Sequence, residues 1–279
     1  MKIGLFPFCT DYSMPIDQLA MAAEERGFDS IWLPEHTHIP SSRITPYPGG
    51  GELPLEYSHT LDPFVALGIA AGVTSTLKLA TGICIAIEHQ VLTLAKTVAT
   101  LDHVSNGRVL LGLGAGWNRE EMENHGTDYK DRFRKLEEQM QALKIIWTRD
   151  EATFQGEFES FDSVWSWPKP AQEPHPPLYL GGETTYTLQR IVNYGDGWLP
   201  RAMRPDIVER GMKKLNQLAK EAGRNPEEIA VSAFAPPPKE DVISKFRDLD
   251  IERTILMIPP QDAAKTLSRL DNYTKFING

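Results

Sequence analysis

The stretch Arg108–Glu121, RVLLGLGAGWNREE, decides between two folds. A strand-like run ends in three glycines, as a dinucleotide-binding loop would. That loop, however, needs G-x-G-x-x-G opening directly into a helix, so that backbone N–H groups meet a pyrophosphate. Here Gly112, Gly114 and Gly116 are spaced G-x-G-x-G, and Trp117 fills the third fingerprint position. The bulkiest side chain stands where a close helix approach demands the smallest. The stretch therefore reads as a strand ending at something other than a pyrophosphate.

Seven further runs resemble it. They are KIGLF from Lys2, DSIWL from Asp29, LKLATGICI from Leu77, LYLGG from Leu178, DGWLP from Asp196, IAVSAF from Ile229 and RTILMI from Arg253. Between them the apolar residues recur at helical spacing. The helix candidates are Asp17–Arg26, Pro63–Gly72, Leu92–Val104, Tyr129–Trp147, Thr184–Tyr194, Pro205–Ala222, Lys239–Leu249 and Asp262–Phe276. Strands alternating with helices predict a parallel sheet with helices outside, closed into a (β/α)8 barrel formed as one domain over residues 1–279. Two segments are too long for plain connections. One, rich in proline and glycine, follows strand two; the other, with strand-like alternation, follows the fourth helix. Both are expected over the barrel mouth, the first as a lid or substrate wall.

Composition narrows the classes. The chain is 41% hydrophobic and 24% charged, with no apolar run near the ~20 residues of a membrane helix. Its start lacks a signal-peptide pattern, so a cytoplasmic protein is expected. Two cysteines, Cys9 and Cys84, outside any C-x-x-C pair, read as reduced buried thiols. A net charge of −9 argues against nucleic acid, leaving small molecules as partners.

A barrel enzyme gathers its chemistry at the strand C-termini. The H-x-H pair of His36 and His38 is a possible start of a metal site, but His89 and Glu88 lie late after strand three, no strand from five to eight ends in histidine, and the ligand set stays incomplete. His36, beside Glu35 at the end of strand two, is a candidate for orienting a substrate or giving a proton, or else for packing. In LYLGGETT, Gly181 and Gly182 free the backbone and Thr184 can cap a helix whose N–H groups point outward; this is a phosphate seat or an ordinary turn. Trp117 and Asn118 suit a flat aromatic ligand, although Trp117 equally suits lid packing. Glu120, Glu121 and Glu123 read as solvated charges at a helix start.

Three blocks carry a resemblance: GFDSIWLPEH at Gly27–His36, the long stretch Leu79–Glu123 with LD-x-x-S-x-GR and GW-x-x-EE, and PPLYLGG with YGDGWLP over Pro176–Pro200. On these residues the chain resembles the bacterial luciferase-like flavin and deazaflavin oxidoreductases. The resemblance implies a (β/α)8 TIM barrel with an isoalloxazine-like ring in the mouth and its phosphate near the strand-five glycines. It implies a non-prolyl cis peptide behind the ring at Gly82–Ile83, and Glu35 and His36 beside its reactive edge; the strand-four glycines of GLGAGW, Gly114 among them, are then expected to leave room for the flat cofactor. Where some dehydrogenases of the family carry an acid after the strand-four glycines, this chain has Trp117. A homodimer is consistent with the resemblance.

The leading reading is an oxidoreductase moving a hydride to or from a small organic substrate. Coenzyme F420 is favoured, because its acidic tail would find Arg201 and Arg204 after strand six. The alternative is an FMN-dependent monooxygenase served by a separate flavin reductase. Readings from other classes are a non-catalytic flavin-binding barrel and a metal-dependent hydrolase.

Overall fold

The computed structural model describes residues 1–277. Eight parallel strands close into a barrel. They are β1 (Lys2–Pro7), β2 (Ser30–Leu33), β3 (Lys78–Ile85), β4 (Val109–Gly114), β7 (Leu178–Gly181), β8 (Gly197–Leu199), β9 (Ala230–Phe234) and β10 (Arg253–Ile258). Neighbours in sequence are neighbours in the barrel, and β1 closes on β10 from Lys2 opposite Arg253 to Pro7 opposite Ile258. The expected strands match these to within a residue at each end.

Eight longer helices cover the outside: α1 (Ile16–Glu25), α3 (Pro63–Val73), α4 (Val91–Val104), α6 (Arg132–Thr148), α7 (Thr185–Tyr194), α8 (Pro205–Glu221), α9 (Glu240–Asp248) and α10 (Ala263–Tyr273). Two short ones, α2 (Glu56–His59) and α5 (Arg119–Asn124), lie in the loops after β2 and β4. The second excursion is an antiparallel hairpin, β5 (Ala152–Gln155) with β6 (Ser160–Val164). It is placed otherwise than expected. Its turn is held on the flank of α6, where Glu138 accepts from the backbone N–H groups of Glu157, Phe158 and Glu159. A segment that follows a helix leaves from the end of the barrel opposite the mouth.

The main core lies between strands and helices, and a smaller cluster of Phe6, Phe8, Trp32, Leu110, Tyr179, Leu199 and Ile255 fills the barrel. At the strand N-termini the guanidinium of Arg253 is buried against Asp29 at 2.5 Å, Ser232 at 3.1 Å and Glu252 at 3.2 Å. A buried charge so paired closes that end of the barrel, and the opposite end becomes the mouth.

Gly112 owes its identity to the barrel wall. A Cβ there would lie 2.1 Å from the Thr81 carbonyl oxygen of the neighbouring strand. The Thr81 hydroxyl also donates to the Gly112 carbonyl at 2.8 Å, so the two strands are locked at this point.

Candidate active site

Beneath the mouth the Gly82–Ile83 peptide is cis, and the β3–β4 register shifts between Thr81 and Cys84. The Ile83 side chain lies across the ends of two other strands. Its Cδ1 would lie 2.2 Å from a Cβ on Gly114, and its Cγ2 3.8 Å from one on Gly181. The expectation that the strand-four glycines leave open room is thereby corrected: Thr81 occupies the space at Gly112 and Ile83 that at Gly114. Gly116, with φ of +67°, turns the chain toward Trp117.

His36 stands at the end of β2 with its side chain 6% exposed, and its Nδ1 lies 2.8 Å from Glu121 Oε2. A carboxylate only accepts, so Nδ1 carries the hydrogen and Nε2 is left for a ligand. Glu121 itself is 1% exposed, against the expectation of a solvated charge. Its place in α5 explains this: Glu121 and Met122 form the buried face of that short helix. Glu35 turns away from its neighbour. One of its oxygens accepts from Ile85 N at 2.6 Å and the other meets His89 Nε2 at 2.8 Å, with the fully buried Cys84 thiol alongside. Its carboxyl ties β2 to the end of β3 instead of reaching the mouth. Burial pulls His89 down, but its bond to Glu35 holds it above the ordinary histidine value. The H-x-H pair does not converge, since His38 faces Thr37 at 2.9 Å and Asn124 at 2.8 Å.

The first excursion forms a wall, as expected. Tyr57 lies 5.3 Å from the His36 ring and 5.1 Å from Phe8, and Tyr47 lies 5.2 Å from Tyr57. Trp117 meets His36 at 5.9 Å and Tyr47 at 6.1 Å, with the Arg43 guanidinium 5.6 Å from its ring. Glu120 clamps this wall by accepting from Ile44 N and Thr45 N. Bonds from the Thr45 hydroxyl and those amides draw its carboxyl down to about 2. Asn118, between the two, is 1% exposed, and both ends of its carboxamide lack a partner within the described chain.

At the end of β7, Thr184 caps α7 by accepting from Thr187 N at 3.1 Å. Gly182, with φ of +115°, is held by Trp198 Nε1 on its carbonyl at 2.7 Å. Arg201 donates its backbone N–H to Glu183 at 2.7 Å, and the exposed Arg204 side chain pairs with Asp206 at 2.8 Å. Sequence reasoning missed three other guanidinium groups, gathered around Tyr129 and Phe133, one of them on the α7 helix that this turn opens. Arg132 lies 3.7 Å from the Tyr129 ring and 4.4 Å from Phe133, Arg119 4.8 Å from Tyr129, and Arg190 of α7 4.1 Å from Phe133. The basic residues interleaved with aromatics in YKDRF were the available signal.

The sequence profile of the luciferase-like monooxygenases matches residues 14–241. The chain belongs to this family. An uncharacterised protein of Mycobacterium tuberculosis is 38% identical over 279 residues, 97% of either chain. An F420-dependent hydroxymycolic acid dehydrogenase of the same organism is 26% identical over 211 residues, 74% of this chain and 54% of that one. Among solved structures, the monooxygenase RslO1 of Streptomyces bottropensis shares the fold with a TM-score of 0.79 at 19% identity, over 99% of this chain and 98% of that one. Luciferase-like relatives include both F420-dependent and FMN-dependent oxidoreductases. Among the described residues no helix is long and apolar enough to cross a membrane.

Proposed function

We propose that this luciferase-like protein binds coenzyme F420 in the barrel mouth and exchanges a hydride between it and a small organic substrate, with His36 handling the accompanying proton. The observation that carries the reading is Asn118. A buried carboxamide with neither donor nor acceptor satisfied is costly, and it calls for a ligand edge offering both, such as the N–H and C=O of a pyrimidinedione ring. Gly181 supports it, because a Cβ there would meet nothing closer than 3.8 Å and the backbone is open to a phosphate. When bound, the deazaflavin supplies the hydride chemistry. His36 Nε2 gives or takes the proton, Glu121 fixes its ring, and Trp117, Tyr47 and Tyr57 keep water from the reacting edge.

F420 is preferred to FMN because the row of Arg119, Arg132 and Arg190 exceeds what one phosphate needs and suits an acidic tail. The F420-dependent relative points the same way. Equilibrium titration with F420 and with FMN at two salt concentrations tests the choice. F420 is expected to bind at least tenfold tighter, with the preference shrinking as salt screens the tail. Tighter binding of FMN at both concentrations overturns it, and implies a partner flavin reductase.

A further inference from the structure

Behind the His36–Glu121 pair lies a second buried acid for which the proposed chemistry has no role. Glu88 follows β3 with its side chain 1% exposed. Its Oε2 and the second oxygen of Glu121 are both buried without a hydrogen-bond partner in the described chain. Glu88 Oε2 lies 3.8 Å from His125 Nε2, at the end of α5. His125 in turn is 2.7 Å from the Thr37 hydroxyl, which is 2.9 Å from His38 Nδ1.

One polarity satisfies every outer link. Asn124 donates to His38 Nε2, so His38 Nδ1 carries a hydrogen and donates to Thr37, and Thr37 donates to His125. The row brings a donor, the hydroxyl of the exposed Thr37, to His125 Nε2, the nitrogen that lies 3.8 Å from Glu88 Oε2. We propose that Glu88 is a carboxylic acid that shares its proton with Glu121, and that His125, Thr37 and His38 are the route by which that proton, and through Glu121 the Nδ1 hydrogen of His36, exchanges with solvent.

The charged surroundings agree with this. Glu35 and Glu121 face Glu88 from the loop after β2 and from α5, and Lys135 faces it from α6. Burial first, then the charges of Glu121 and Glu35, push Glu88 up to about 9 despite Lys135. Burial and then His38 hold His125 below the usual histidine value, so it passes a proton on instead of keeping it.

The use of this route in turnover rests on the function proposed above, but its test needs no cofactor or substrate, so each idea fails by itself. Infrared spectra of the protein are expected to show a protonated-carboxyl band that persists at about pH 7, is missing in Glu88→Gln, and fades near pH 9. In Glu121→Gln that band should fade at least one pH unit lower, which keeps the test valid if Glu88→Gln does not fold. No band above about pH 6 overturns the proposal. In protein labelled with ¹⁵N-histidine, His125→Ala is expected to slow solvent exchange of the His36 Nδ1 hydrogen at least tenfold, with added imidazole restoring it. Unchanged exchange, or slowing that imidazole does not relieve, overturns the route.

Discussion

Two glycines that look alike in sequence answer to different masters. Gly112 faces a backbone oxygen that cannot move without opening β3 against β4. Gly112→Ala is therefore expected to destabilise the protein by about 1–3 kcal/mol, read as a fall in Tm of several degrees. Gly181 faces no such constraint, its nearest neighbours for a Cβ being 3.8 Å away. Gly181→Ala should leave Tm within about 1 °C of the parent, yet weaken F420 at least tenfold, about 1.4 kcal/mol. Unchanged affinity would remove the phosphate from this turn. His36→Ala makes the corresponding statement about chemistry: an acid–base group contributes roughly 10²-fold or more, so turnover by the folded variant should fall by that factor.

At the scale of elements, the barrel was legible because burial writes a period into each strand and helix, and the wall strands are short, mostly buried apolar runs. The hairpin β5–β6 was legible as strands but not in its place, since periodicity records which face is buried and not which end of the barrel a loop leaves from. What joins the elements is less visible still. Glu24, late in α1, accepts from the backbone N–H groups of Ser75, Thr76 and Leu77 just before β3. Burial raises its carboxyl, but those bonds outweigh burial and hold it at about 2. A depressed carboxyl contributes stability that is present above its unfolded value and lost as pH falls toward the folded one. Glu24→Gln should thus lower Tm by a few degrees at neutral pH, and the gap should narrow as pH drops from about 5 toward 3. A gap independent of pH would show that the charge is not what binds α1 to β3.

Over the whole molecule, the site was legible in proportion to how far each residue's role depends on its own strand. His36, Asn118 and Thr184 are announced by strand ends and caps, whereas Glu121, Glu88 and the arginine row gain meaning only when β2, β3, α5, α6 and α7 meet. The acids Glu35, Glu88 and Glu121, brought together by that closure, cost the fold something a sequence cannot display. The unfolded chain releases the Glu88 proton near 4.5, but the folded protein retains it up to about 9. A carboxyl raised in this way contributes stability that is complete below the unfolded value and is lost as pH rises through the folded one. Between those limits each pH unit costs the native state up to about 1.4 kcal/mol. Glu88→Gln keeps the shape and the hydrogen but never ionises, so it escapes that cost, and the titrating groups remote from Glu88 cancel when the two proteins are compared. The Tm of Glu88→Gln minus that of the parent should therefore grow by several degrees between about pH 5 and pH 8. A difference that stays flat over that range would mean that Glu88 is ionised in the folded core, with a cation or water replacing the proton assigned to it.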